Sequence, residues 1–272
     1  NWVLIYGNLG MPRLEVKGAA YATIIAKTME MLFLIGYTIK DKPEFISCSV
    51  YKRIDWALFG RILKKGSFLI TSQMMWVLSE SFTAAIYNGR GNAAVVSGMA
   101  ASFSIANLFF ISFDGITTAT GVLIGKSLGN NKLDYAKKEK TWMLSAAVMF
   151  GCAMCLIGVI TVLLVPVVFG NLSMDAQNIC RAMLLMMAFF MPLWTYVNTQ
   201  LAVCRAGGDT RVGFLVDGGA TAAMVPLLLV MAFFTSASPI TMYFAVKVLD
   251  VGKIMVANHE LKKERWVVNL SN

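Results

Sequence analysis

Charge is what this sequence has least of: 14% of its 272 residues are Asp, Glu, Lys or Arg, against about 25% in an ordinary soluble domain. Thirty-four consecutive residues, Thr141 to Met174, carry none, and the 35 between Arg90 and Lys126 carry only Asp114. Such a chain has no room for a large water-soluble domain. Histidine is nearly missing too: His259 stands alone in a basic tail and reads as solvated. The five cysteines (Cys48, Cys152, Cys155, Cys180, Cys204) lack the spacing of a secreted disulfide framework. Cys152 and Cys155 form a CxxC inside an uncharged run, with neither a second ligand pair nor a helix N-terminus, which argues against a metal or redox role. The spans hold no HExxH and no nucleophile with its base, so an intramembrane enzyme is disfavoured; with no P-loop there is no nucleotide partner. Position 1 is Asn, and no signal or transit peptide precedes the first apolar segment. The expectation is that the N-terminal part of a longer protein is missing.

Apolar side chains fill the rest: 57% hydrophobic, with a mean hydropathy of +0.66. A hydrocarbon core about 30 Å thick needs roughly 20 apolar residues of helix. Seven segments meet that need, near residues 18–39, 66–87, 91–126, 142–169, 182–204, 213–234 and 240–258. Polar turns at NGRGN, RAGGDTR and TSASP, and one around 166–174, separate them. The expected fold class is an all-α integral membrane protein, a polytopic helical bundle. Nineteen of the 24 Lys and Arg fall in segments 40–65, 126–140, 205–211 and 247–265, all on one side of that topology. Basic loops stay cytoplasmic, so the expected location is the plasma (cell inner) membrane with the C-terminus in the cytosol. The net charge of +9 is then explained by lipid headgroups and orientation, without a nucleic-acid partner.

Acids at membrane depth are expensive and read first as ion or substrate sites. Four qualify: Glu80, Asp114, Asp217 and Asp250. Glu80 and Asp114 have no charged neighbour within a helical turn, which favours function. Asp217 lies six residues beyond Arg211, near an interface, and Asp250 between Lys247 and Lys253 reads as an ion-pair ladder. Lys27 and Glu30 are spaced to pair on one helix. A desolvated acid exchanges a proton near neutral pH; with amide and hydroxyl oxygens such as Gln73, Asn107, Thr117, Asn198 and Gln200 it holds sodium instead. No resident metal or cofactor is expected beyond such a coupling ion, with Glu80 and Asp114 as the sodium candidates. Eighteen Met and 11% aromatics supply polarisable walls. Glu80 or Asp114 with Trp76 or Trp194 makes a candidate organic-cation pocket. Glycines four apart, Gly121, Gly125 and Gly129, predict close helix approach, and Pro192 and Pro226 predict loosened helices.

GNLGMPRLEVKGAAYAT, IGKSLGNNKLDYAKK, CRAGGDTR and ERWVVNL together resemble the multidrug and toxic compound extrusion (MATE) family, in the right order across the chain. The resemblance implies one lobe of a pseudo-symmetric twelve-helix transporter. Residues 1–56 would be the end of the first lobe, 57–258 the second six-helix lobe and 259–272 a cytoplasmic tail. It implies export of drugs or organic cations in exchange for protons or sodium, and Arg205, Gly208 and Asp209 as a structural loop motif. Half of an inverting cleft is not expected to transport alone. There are departures: Glu80 lies in the family's seventh helix but about a turn from the usual acid, and the tenth helix offers Asn198 and no acid. A lipid-linked saccharide flippase of the same superfamily is the alternative, and a non-transporting scaffold or intramembrane enzyme a remote one.

Overall fold

The computed structural model describes residues 2–7, 10–41 and 55–269, with the side chains of positions 2, 16 and 65 left aside. Cys48 and half of the basic segment 40–65, residues 42–54, lie outside the described residues. All regular structure described is helical: α1 (Trp2–Tyr6), α2 (Glu15–Asp41), α3 (Trp56–Arg90), α4 (Ala93–Gly129), α5 (Leu133–Val168), α6 (Met174–Ala206), α7 (Arg211–Phe234) and α8 (Pro239–Lys262). The chain forms two compact units, Asn1–Phe59 and Gly60–Asn272.

In the first unit α1 folds against the start of α2, where the Leu14 amide donates to the Leu4 carbonyl at 3.1 Å. Lys27 and Glu30 pair on α2 at 2.7 Å. In the second unit α6 is the hub, packed against α4, α5, α7 and α8. Of the candidate spans it is the most enclosed, with 44% of its apolar stretch buried against 17–33% for α4, α5 and α7. Its buried positions, including Met183, Met187, Met191 and Thr195, recur at helical spacing and face the other helices.

Among the described residues five helices are long and apolar enough to cross a membrane: α2, α4, α5, α6 and α7. The seven expected spans are therefore met on both counts only in part. α3 and α8 have the length, 35 and 24 residues, but carry Glu80 and, on α8, Lys247, Asp250 and Lys253. Several expected loops are helix. α3 starts at Trp56, about ten residues before the expected span, and α5 takes in Lys137, Lys138 and Lys140, leaving only Asn130–Lys132 between α4 and α5. Lys247 and Lys253, counted with the C-terminal basic segment, lie inside α8. Pro166 stays within α5, and the chain leaves the helix at Phe169.

The polar turns act as caps. Side chains of Asn92, Ser173 and Ser238 accept from the amides of Val95, Ala176 and Thr241 and so satisfy free N-terminal donors of α4, α6 and α8. α8 then begins with Pro239, whose missing N–H costs nothing in a first turn. The lone Arg90 closes the far end of α7, donating to the carbonyls of Met231, Ala232 and Thr235 at 2.6–3.0 Å.

Close helix approach falls elsewhere than expected. Gly121 and Gly125 have no atom within 4 Å of where a Cβ would stand. Tight contacts are made onto α6 instead: from α5, where a Cβ on Gly151 would lie 2.5 Å from Pro192 Cα and one on Gly158 2.8 Å from Ala188 Cβ, and from α4, where one on Gly98 would lie 2.6 Å from the Ala176 carbonyl oxygen. Pro192 lacks the N–H that would bond the Ala188 carbonyl, so a bare α5 surface meets α6 where its ladder is already interrupted. Gly151→Ala is therefore expected to destabilise the folded protein by about 1–3 kcal/mol through overpacking. Gly121→Ala should leave the midpoint of a thermal melt in detergent unchanged or slightly raised.

Candidate functional site

α3, α6 and α8 bring four of their side chains into one polar cluster inside the bundle. Glu80 lies ten residues from the end of α3 and Lys247 eight residues into α8, about 12–15 Å along each helix at 1.5 Å per residue. That is far enough from the helix ends to lie within a hydrocarbon layer of about 30 Å if α3 and α8 cross it. The Lys247 ammonium reaches Glu80 Oε1 at 3.4 Å, with side chains 13% and 35% exposed. It also stands 5.1 Å from the ring centres of both Trp194 and Tyr243, within cation–π range. The indole Nε1–H of Trp194 donates to Asp250 Oδ2 at 2.9 Å, and Lys253 pairs with the same carboxylate at 3.1 Å.

The aromatic walls are themselves fixed. Trp194 stacks on Phe190 at 6.0 Å and leans on Phe110 at 5.9 Å. Tyr243 packs against Tyr87 and Phe103 at 6.2 and 6.4 Å. Helical spacing explains the face: Tyr243, Lys247 and Asp250 are four and three residues apart, so α8 presents all three on one side. The arrangement is a cation held by a carboxylate and two aromatic faces. Lys247 is largely enclosed while Glu80 keeps 35% of its side chain exposed, so removing Glu80 strands the more enclosed charge and costs more than removing a surface partner.

The sequence candidates separate. Glu80 and Trp194 meet, through Lys247. Glu80 therefore does have a charged partner, from another helix, and Asp250 pairs with Lys253 but not with Lys247. Trp76 is 49% exposed and Gln73 is exposed, and neither joins Glu80 in this cluster. Asp114 is exposed on α4, its carboxylate without a partner among the described residues. Asp217 accepts a 2.6 Å hydrogen bond from Ser72, which is fully buried. Asn198 donates to the Trp194 carbonyl of its own helix at 2.9 Å. Gln200 and Tyr196 both donate to Asn258 Oδ1, at 2.5 and 3.3 Å, which ties α6 to α8 a second time. Lys247 and Tyr243 were not singled out from sequence. The available signal was a mid-helix lysine four residues after a tyrosine, on a chain with an unbalanced acid elsewhere.

Arg205, Gly208 and Asp209 shape the turn from α6 to α7. Gly208 has φ +78°, and the Asp209 amide donates to the Cys204 carbonyl at 2.9 Å. The preceding Gly207 lies under the C-terminal segment, where a Cβ would fall 1.8 Å from the Trp266 carbonyl oxygen. Trp266 is buried in the cluster of Ile124, Leu128, Leu201, Val212 and Leu261. Lys140 stands 5.9 Å from its ring centre, and Lys137 pairs with Glu264 at 2.5 Å. Lys137 holds the Glu264 carboxyl below its ordinary range, so this tie is complete at neutral pH and lost as pH falls through the lowered value.

Long apolar helices with paired charges at depth define a polytopic α-helical membrane protein. A family model for MatE matches residues 69–234, and the chain belongs to that family. It is 23% identical over 240 residues to a probable multidrug resistance protein NorM of Mesorhizobium japonicum, covering 86% of this chain and 51% of that one. A probable multidrug resistance protein NorM of Rhodopseudomonas palustris is 24% identical over 269 residues, covering 94% and 54%. The multidrug resistance protein NorM of Aliivibrio fischeri is 25% identical over 165 residues, covering 59% and 35%. The chain spans about half the length of the first two.

Trp266→Ala is expected to cost about 3–5 kcal/mol, as for a large aromatic removed from a core. Limited proteolysis should then cut the released segment after α8 faster than in the unaltered protein, while cleavage elsewhere is unchanged.

Proposed function

We propose that the protein is a secondary active exporter of drugs and organic cations, driven by exchange for protons or sodium ions. It resides in the plasma (inner) membrane, with the basic ends of α4, α6 and α8 in the cytosol. The carrying observation is the Glu80–Lys247 pair with Trp194 and Tyr243, a set of groups suited to holding a monovalent cation inside a membrane. Membership of the MatE family and the multidrug-resistance names of its relatives support the same reading.

In this reading Glu80 is the acid whose charge is balanced in turn by Lys247, by a proton or by substrate. Asp114 is a second acid, on a different helix and without a partner among the described residues. Asp217, bonded by Ser72, ties α3 to α7. Transport belongs to the full-length gene product, because alternating access needs two lobes about one cleft. The partners are small organic cations and the lipid bilayer.

The test is ethidium efflux by the full-length gene product in vesicles, under a pH or a sodium gradient imposed separately. Gradient-driven export that Glu80→Gln reduces to background, with the protein still inserted, is the expected result; Asp114→Asn should reduce it as well. The gradient that works names the ion. Absence of export under both gradients contradicts the reading and favours a lipid-linked saccharide as cargo.

A further inference from the structure

The cation between Glu80, Trp194 and Tyr243 belongs to the protein itself. Its side chain is 13% exposed, and its ammonium is equidistant, at 5.1 Å, from two aromatic centres. Its distance to the carboxylate is 3.4 Å, long for a charge-assisted hydrogen bond of about 2.7–2.9 Å. The ammonium is thus held as much by ring faces as by the acid. Asp250 is already engaged by Lys253 and by the Trp194 indole, so it orients the ring and does not compete for Lys247.

We propose that Lys247 is a tethered surrogate cation: it fills a built organic-ammonium site, and an external monocation enters only by displacing the Lys247 ammonium from Glu80, Trp194 and Tyr243. This rests on the exporter reading and names the chemistry of its site. Two aromatic faces and one carboxylate suit an alkylammonium or quaternary head. They suit sodium poorly, because a bare sodium ion needs a shell of oxygens and the cluster offers one carboxylate edge. The tether has a physical use. The acid is never left unpaired when the site holds no substrate.

The experiment measures binding of radiolabelled tetramethylammonium to the full-length gene product in detergent by equilibrium dialysis. Lys247→Met keeps the apolar stem and removes the competitor, so its affinity should rise at least about tenfold, the scale of a desolvated cation–π contact joined to a carboxylate. Lys247→Arg should show no rise, and the double variant Lys247→Met with Glu80→Gln should lose it. Sodium at matched ionic strength should not displace the ligand. Because Lys247→Met leaves Glu80 without its partner, the unaltered protein supplies a second reading: saturating tetramethylammonium should raise amine-reagent labelling of Lys247 several-fold, read by mass spectrometry. Unchanged affinity in a folded Lys247→Met protein, unchanged Lys247 labelling, or displacement by sodium overturns the proposal. Ethidium export that persists alongside any of these leaves the exporter reading standing, so the two failures are distinguishable.

Discussion

An ionised side chain inside hydrocarbon must find its opposite within the protein, and the join between α3 and α8 answers that requirement. Glu80 and Lys247 lie 167 positions apart in the chain, on the two helices that are long enough to span but not apolar enough by composition. Each charge makes its own helix a poor span, and the pairing makes both acceptable. The same contact binds the first helix of the unit to the last and brings Trp194 of α6 against them. Polarity on α3 and α8 is thus a condition of their packing.

Around that contact the remaining helices are held by shape. α5 approaches α6 through Gly151 and Gly158, where no side chain intervenes and Pro192 has already opened the ladder. At the opposite end of the bundle the segment after α8 returns across the turn between α6 and α7, seats Trp266 in the core and bridges to α5 through Lys137 and Glu264. Arg90 closes α7 at the other end. The two bundle ends are therefore fixed by different means: buried aromatic volume at one, and a guanidinium on free carbonyls at the other.

The helices were legible because an uncharged run of 34 residues has few alternatives, and the turns because NGRGN and TSASP interrupt such runs, while the capping by Asn92, Ser173 and Ser238 emerged only in the structure. Glu80 was legible as a costly acid. Its partner was not, since a lysine three residues from an aspartate on the same helix looks already satisfied, while in three dimensions Asp250 turns to Lys253 and to the Trp194 indole. Trp76, only four positions before Glu80 on the same helix, looked as good a wall as Trp194 but remains exposed. Glycine spacing misled for a related reason. Gly121 and Gly125 have the right interval on a helix face that nothing described approaches, whereas Gly151 and Gly158, seven apart, meet α6. Spacing defines a face, and only a neighbour makes it an interface.

A specific charge pair joins α3 to α8, and exchanging the two charges puts that join to the test. Glu80→Lys, Lys247→Glu and the double exchange would be compared by thermal unfolding of the full-length gene product in detergent. Each single change should lower the midpoint through like-charge repulsion, and the exchange should recover most of the loss. Singles without effect, or an exchange no better than the sum of the two, would contradict it.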